Sequence, residues 1–255
     1  TLGIEKPMHK NSEATSFGQK TVTAKEKTEL VFNVFDTVAN RYDVMNDVMS
    51  GGIHRIWKDK FLEQITPKKG QSILDVAGGT GDIAFRHYRY TNGQADITVS
   101  DINPAMLDVG KSRAYDRAIT NLRWVEANAE KLPFKKNQFD IYTIAFGLRN
   151  VTHIDDALSE AARVLKKGGA FYCLEFSHVD HPIVKKIYDT YSDHLIPKFG
   201  EIIANDKDSY QYLVESIRKF PRREALKQRL IDAGFSKSSF ETMTFGIVAI
   251  HKAIL

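Results

Sequence analysis

A single cysteine, Cys173, occurs in 255 residues, which excludes an intramolecular disulfide and a cysteine-rich metal centre. The eight histidines include no His-Glu-x-x-His pair, so no metal site is expected. No run of about 18 apolar residues occurs, and no spanning helix is predicted. What is present is ordinary for a folded chain: 42% hydrophobic and 27% charged residues, enough for one sizeable domain or two small ones. The net charge of +4 is too small to argue for nucleic acid, and no nucleic-acid partner is expected. That charge is local. Between Ile217 and Leu230, six basic residues (Arg218, Lys219, Arg222, Arg223, Lys227, Arg229) stand against Glu224 alone, leaving the rest of the chain close to neutral.

Residues 1–25 are polar and poorly periodic, and read as an arm that is partly disordered. The chain begins at Thr1 rather than Met, which reads as processing or truncation. Residues 26–255 read as a single domain. Its first part, about 26–66, is a helical cap: Leu30, Val31, Val34, Phe35 and Val38 lie at helical spacing, Gly51-Gly52 breaks the run, and a second piece covers His54–Ile65. Strands are expected at Ser72–Ala77, Asp96–Ser100, Leu122–Ala127, Phe139–Ala145 and, after Gly168-Gly169, Ala170–Phe176. Helices intervene, one of them opened by Pro104 and another over about Asp155–Leu165. This alternation argues for a doubly wound α/β domain with a mostly parallel sheet. A late helical insertion, about 182–230, breaks near Pro197–Gly200 and at Pro221. Ser239–Thr244 and Ile247–Lys252 then read as a terminal antiparallel pair.

The sharpest motif is Leu74-Asp75-Val76-Ala77-Gly78-Gly79-Thr80-Gly81-Asp82, a buried strand running through three glycines into a helix. Glycine lets the backbone turn tightly and approach a ligand closely. Asp101 stands twenty residues beyond Gly81, where a carboxylate can accept from both hydroxyls of a ribose. The loop formally fits a dinucleotide fingerprint, but Asp75 and Asp82 would repel a pyrophosphate. S-adenosylmethionine (SAM), with a ribose, an ammonium and a sulfonium, suits them better. Asp82 also reads as an ordinary first-turn helix charge. Asn128 at the third strand end can accept from an adenine amino group or close an Asx-turn. Arg149 and Asn150 follow the fourth strand, outside whose carboxyl end an open α/β sheet places its ligand. The plainer reading of Arg149 is a partner for a surface carboxylate.

At this point the chain resembles the ubiquinone/menaquinone biosynthesis C-methyltransferases, from about Phe17 to the C-terminus. The segments that carry the resemblance are Tyr42–Lys58, Ala77–Asp82, Asn128-Ala129-Glu130, Phe146–Asn150, Tyr188–Ser192, Asn205–Tyr210 and Gly246–His251. The resemblance implies a Rossmann-like class I SAM-dependent methyltransferase fold, with seven strands and a C-terminal antiparallel hairpin. It implies SAM contacts at Thr80, Asp101, Asn128 and Ala129, to which the loop reading adds Asp75 and Gly79. Ala145 stands where bacterial relatives often carry Ser and lacks that hydroxyl. Lys167 stands where many methyltransferases carry Pro.

The implied substrate is a 2-methoxy-6-polyprenyl-1,4-benzoquinol that gains a methyl on a ring carbon. Arg149 is then expected to hold the phenolate oxygen or an activated water, and Asn150 to orient it. Asp43 is the candidate proton acceptor. Tyr42, Asn46, Arg149 and Tyr210 are candidate substrate contacts, although Tyr42 also fits core packing. Apolar residues between Pro182 and Tyr212, including Ile183, Ile187 and Tyr188, are candidates for a prenyl-tail channel. The alternatives are an O-methyltransferase of another small aromatic, an NAD-dependent oxidoreductase, and a non-catalytic scaffold subunit of a quinone-synthesis complex. The expected location is the mitochondrial matrix, peripheral to the inner membrane, with the bacterial cytoplasm as alternative. Other coenzyme Q biosynthesis proteins, an anionic membrane at the basic 217–230 segment, and a second copy in a homodimer are the partners this reading expects.

Overall fold

A computed structural model describes residues 13–38, 44, 46–47, 50–192, 198 and 207–255. Residues expected to be an unstructured arm instead form a hairpin of β1 (Ala14–Phe17) and β2 (Lys20–Thr23), turning at Gly18 with φ +54°. Residues 1–12 lie outside the described part. Helix α1 (Ala24–Val38) starts directly after it, and its start is written in the sequence. The Glu26 carboxylate accepts from the Thr23 amide at 2.7 Å while the Glu26 amide donates to Thr23 Oγ1 at 3.3 Å, a reciprocal N-terminal cap. The capped helix fixes where the hairpin ends, which composition alone did not reveal.

Helix α2 (His54–Ile65) completes the described cap and buries Trp57, Phe61, Leu62 and Ile65 on one face. The alternation then follows as read. It comprises β3 (Ser72–Val76), α3 (Asp82–Tyr90), β4 (Asp96–Asp101), α4 (Pro104–Asp116), β5 (Leu122–Glu126), β6 (Phe139–Ala145), α5 (Ile154–Val164) and β7 (Leu165–Phe176). One boundary differs. Gly168-Gly169 lie inside β7 rather than before it. Pairing with β6 slips between Phe139 and Ile141, and Gly168 takes φ +77°, so the glycines absorb an irregularity within the strand.

Helices α6 (Pro182–Thr190), α7 (Lys207–Lys219) and α8 (Arg223–Asp232) form the described part of the late insertion. The break at Pro221 is present; most of Pro197–Gly200 lies outside the described residues. Strands β8 (Lys237–Met243) and β9 (Val248–Ile254) close the chain as an antiparallel pair. The seven-stranded sheet has the order β5-β4-β3-β6-β7-β9-β8, parallel through β7. Consecutive residues of β3 pack into different cores: Ile73 belongs to one cluster and Leu74 to the other. A strand covered on both faces needs apolar residues at successive positions, which is why Ser72–Val76 lacks polar alternation. The order reverses at β3, so the loops after β3, β4 and β6 border one crevice.

The core also holds His87, fully buried on α3 with neither ring nitrogen hydrogen-bonded among the described residues. Burial pushes its pKa down to about 3. The folded state therefore keeps it neutral while the unfolded chain takes up a proton below about pH 6.5. This contribution is complete above that pH and is lost as pH falls toward 3. His87→Leu is expected to flatten the fall of stability between pH 6.5 and 4 by up to about 1.4 kcal/mol per pH unit. Urea denaturation at stepped pH measures it; an unchanged slope would show that His87 does not contribute.

Candidate active site

Two strand ends meet at the crevice in unusual backbone conformations. Ala77, after β3, has φ +51°, and Phe146, after β6, has φ +56°. Both sit in the left-handed region that non-glycine residues seldom occupy, and such residues cluster at ligand sites. Their close approach needs glycine: a Cβ at Gly147 would lie 2.5 Å from the Ala77 Cβ. In the β3–α3 loop, Gly79 and Gly81 have φ +51° and +84°, and a Cβ on Gly81 would strike Trp124 at 2.7 Å. An open cleft of about 760 Å³ of atom-free space results. It is walled by Val31 and Phe35 of α1, by Gly79, Asp101, Asn128 and Ala129 at the strand ends, and by Asn150.

Asp101 is the anchor of the cofactor side. Its Oδ2 accepts from the Gly79 amide and its Oδ1 from the Asn103 amide, both at 2.9 Å. Burial pushes its pKa up to about 6, against these amide bonds. The carboxylate therefore shapes the glycine loop as well as facing the cleft. Asn128 takes the Asx-turn role, its Oδ1 accepting from the Glu130 amide at 2.9 Å, and still walls the cleft. Glu130, unremarked beyond its motif, bridges to the far wall: its Oε1 accepts from the Thr152 and His153 amides at 3.0 and 3.1 Å. Asp75 and Thr80 lie behind the loop, against a smaller neighbouring cavity. Thr80 Oγ1 accepts from Arg113 at 3.0 Å. Asp82 is neutralised rather than left as a free acid. Burial disfavours its charge, yet Lys58 and Arg86 bring its pKa down to about 2.

The structure corrects the placement of Arg149. Its side chain is 5% exposed and does not wall the cleft; Nη1 donates to Glu175 Oε1 at 2.7 Å and to the Phe146 carbonyl. Glu175, on β7, is 1% exposed, and burial pushes its carboxyl pKa up while Arg149 opposes. A charge matched inside the protein in this way is not presented to a phenolate in the cleft. A surface carboxylate was the expected alternative partner; the partner is instead the buried Glu175, because sheet pairing brings β7 beside the β6 end. Asn150 does face the cleft. Its Oδ1 accepts from the Tyr212 hydroxyl at 3.1 Å, and Tyr212 stacks on Phe17 of the hairpin with ring centroids 4.0 Å apart.

Tyr210, expected at the substrate, is fully buried in the core; Tyr212, two positions on, is buried as well but meets Asn150 through its hydroxyl. Asn46 is not among the cleft walls, and its Nδ2 is buried with no hydrogen-bond partner among the described residues. Tyr42 and Asp43 lie outside the described residues. Ile183 and Ile187, proposed to line a channel, are about two-thirds exposed on α6.

The donor set fits SAM. Among the described residues, the cleft walls include Asp101 and Glu130 but no Lys or Arg to balance a pyrophosphate. Asp101 presents a carboxylate at the cleft wall, and the remaining walls are largely apolar. Fold and site together define a class I SAM-dependent methyltransferase. A SAM-dependent methyltransferase structure from Thermotoga maritima superposes with a TM-score of 0.62 at 17% identity, covering 88% of this chain and 99% of that one. The chain belongs to the ubiE/COQ5 methyltransferase family, whose description it matches over residues 20–255. It is 52% identical to the mitochondrial 2-methoxy-6-polyprenyl-1,4-benzoquinol methylase of Arabidopsis thaliana, over 96% of this chain and 91% of that protein. It is 54% identical to the ubiquinone/menaquinone biosynthesis C-methyltransferase UbiE of Zymomonas mobilis, over 94% and 98%.

The buried pair sets a stability test. Arg149→Ala strands the Glu175 charge in the core and is expected to cost about 3–5 kcal/mol. Arg149→Met with Glu175→Gln removes both charges and is expected to recover more than half of that loss. Chemical denaturation of wild type, both singles and the double measures the coupling; additive losses would show that the pair is not coupled.

Proposed function

We propose that this enzyme transfers the methyl of SAM to a ring carbon of a methoxy-polyprenyl-benzoquinol in ubiquinone biosynthesis. The observation that carries this reading is the family match across residues 20–255, over a strand-end cleft built for a cationic nucleoside cofactor. SAM supplies an electrophilic methyl on a sulfonium. The acceptor must be the reduced quinol, since ionisation of a ring hydroxyl raises electron density at the ortho carbon, whereas the quinone ring is electron-poor. The ring carbon forms its bond to the methyl as the carbon–sulfur bond breaks, and the ring then gives up its proton to restore aromaticity.

The chain's part is positioning, charge stabilisation and proton acceptance. Asn150 takes the contact expected of Arg149: its amide nitrogen donates to the ring oxygen, while the Tyr212 hydroxyl holds its Oδ1. Arg149 acts at one remove, as a positioning residue. It grips the Phe146 carbonyl and Glu175, and so fixes the turn that carries Asn150. Asp43 remains the proposed proton acceptor, with Tyr42 and Asn46 as the cap over the substrate.

With labelled SAM and a short-chain methoxy-benzoquinol under reducing conditions, the label is expected on a ring carbon by mass and NMR. Label on oxygen would favour the O-methyltransferase reading instead. In the same assay Asn150→Ala is expected to lower kcat at least about tenfold with SAM affinity held within about threefold. Retained turnover would remove Asn150 from the chemistry.

A membrane-resident quinol requires the enzyme to visit a membrane, and no described helix is long and apolar enough to cross one. We further infer peripheral contact, in a mitochondrial matrix setting, through the end of the sheet where β7 finishes. There α6 exposes Ile183 and Ile187, and the β8–β9 turn exposes Phe245. Phe176 pairs with Val248, which brings that turn beside the β7 end. The basic 217–230 segment supports this less directly than its charge implied. Arg223 is committed to Asp180 and the His178 carbonyl, and Arg229 lies 3.5 Å from Asp155. Ile183→Glu with Ile187→Glu is expected to weaken flotation with anionic vesicles severalfold while turnover of a soluble quinol persists. Unchanged flotation would remove α6 from the contact.

A further inference from the structure

The amino-acid half of the cofactor has no assigned partner from the N-terminal cap, yet a side chain of α2 reaches its neighbourhood. Beside the cleft lies the smaller cavity walled by Lys58, Asp75, Thr80 and Asp82. Ala77 and Phe146 belong to the walls of both spaces, so the two meet at the ends of β3 and β6. Lys58 is 5% exposed and its ammonium lies 2.7 Å from Asp82 Oδ2. That bond uses one of three ammonium donors. Asp82 also accepts from Arg86 Nε at 3.1 Å, so this carboxylate carries two cations.

Asp75, 1% exposed, walls the same cavity. Its Oδ1 accepts from Thr143 Oγ1 at 2.8 Å, while Oδ2 is buried without a partner of hydrogen-bond geometry among the described residues. Burial pushes the carboxyl up to about 7, with a weak opposing pull from the Ala84 amide. A buried ammonium with spare donors and a buried carboxylate oxygen with none are both costly unless a ligand completes them. A zwitterionic α-amino acid end carries the complementary groups.

We propose that Lys58 reads the carboxylate of the SAM amino-acid tail, with Asp75 Oδ2 accepting from its ammonium. Lys58 is then a cofactor-specificity residue as well as the clamp between α2 and α3. This rests on SAM being the cofactor, and one set of binding measurements separates the two ideas. Isothermal titration of the full chain with SAM and with decarboxylated SAM, which keeps the amine and sulfonium, is the experiment. Wild type is expected to bind SAM at least about tenfold more tightly than the decarboxylated form, as a charge-assisted bond to a buried partner implies. Lys58→Met is expected to lose SAM affinity to about the level of the decarboxylated form, leaving affinity for that form within about threefold, and Lys58→Arg to restore part of the preference. Failure of wild type to bind SAM would overturn the cofactor reading. Equal wild-type affinity for the two ligands, or a Lys58→Met loss shared by both, would overturn the role of Lys58 alone. If Lys58→Met does not fold, the wild-type comparison still decides.

Discussion

Burying carboxylates where the parallel strands end is the constraint around which this protein is organised. Asp75, Asp101 and Glu175 end or nearly end β3, β4 and β7; Asp75 and Glu175 are almost fully out of water and Asp101 is partly buried at the cleft wall. A charge in such a place must be met by donors or it shifts toward neutrality. The three are met differently. Asp101 draws in the glycine-loop amide, Glu175 pairs with Arg149, and Asp75 takes one hydroxyl and leaves an oxygen over. The first solution gives the loop its shape and the second holds the turn before Asn150. The third leaves a vacancy in hydrogen bonding that a cationic ligand group can fill.

The elements before the sheet are part of the same device. Val31 and Phe35 of α1 wall the cleft, and Phe17 of the hairpin stacks on Tyr212, whose hydroxyl holds Asn150. The hairpin turn is also fastened: the Gln19 amide donates to Glu215 Oε2 at 2.9 Å on α7. Segments distant in sequence thus close one pocket from three sides.

Much of the site was legible from the chain. Strand–glycine–helix order, the spacing of Asp101 and the family segments were enough to bring Gly79, Asp101, Asn128 and Ala129 to one cleft, because these depend on local backbone geometry and on a regular α/β alternation. The Thr23–Glu26 cap is equally local, but the polar composition of the residues before it masks the hairpin and the helix start. The mistaken placements have a common physical origin. Arg149 was assigned to the cleft by its position after β6, but the register of β7 sets Glu175 within reach of it. Tyr210 closes a family segment, but which face of α7 meets the site is set by what packs on that helix.

The sequence by itself therefore determined the fold class, the glycine loop and the carboxylate Asp101 at the cleft, since period, turn chemistry and spacing are written along a single stretch. Only the tertiary structure decided which charges are spent inside the protein and which remain to meet a ligand. Lys58 with Asp82, Arg149 with Glu175, and the spare oxygen of Asp75 are pairings or absences of pairing between segments 24 to 68 residues apart. Charge compensation depends on distance through the folded core, and that distance exists only once the sheet order has been set.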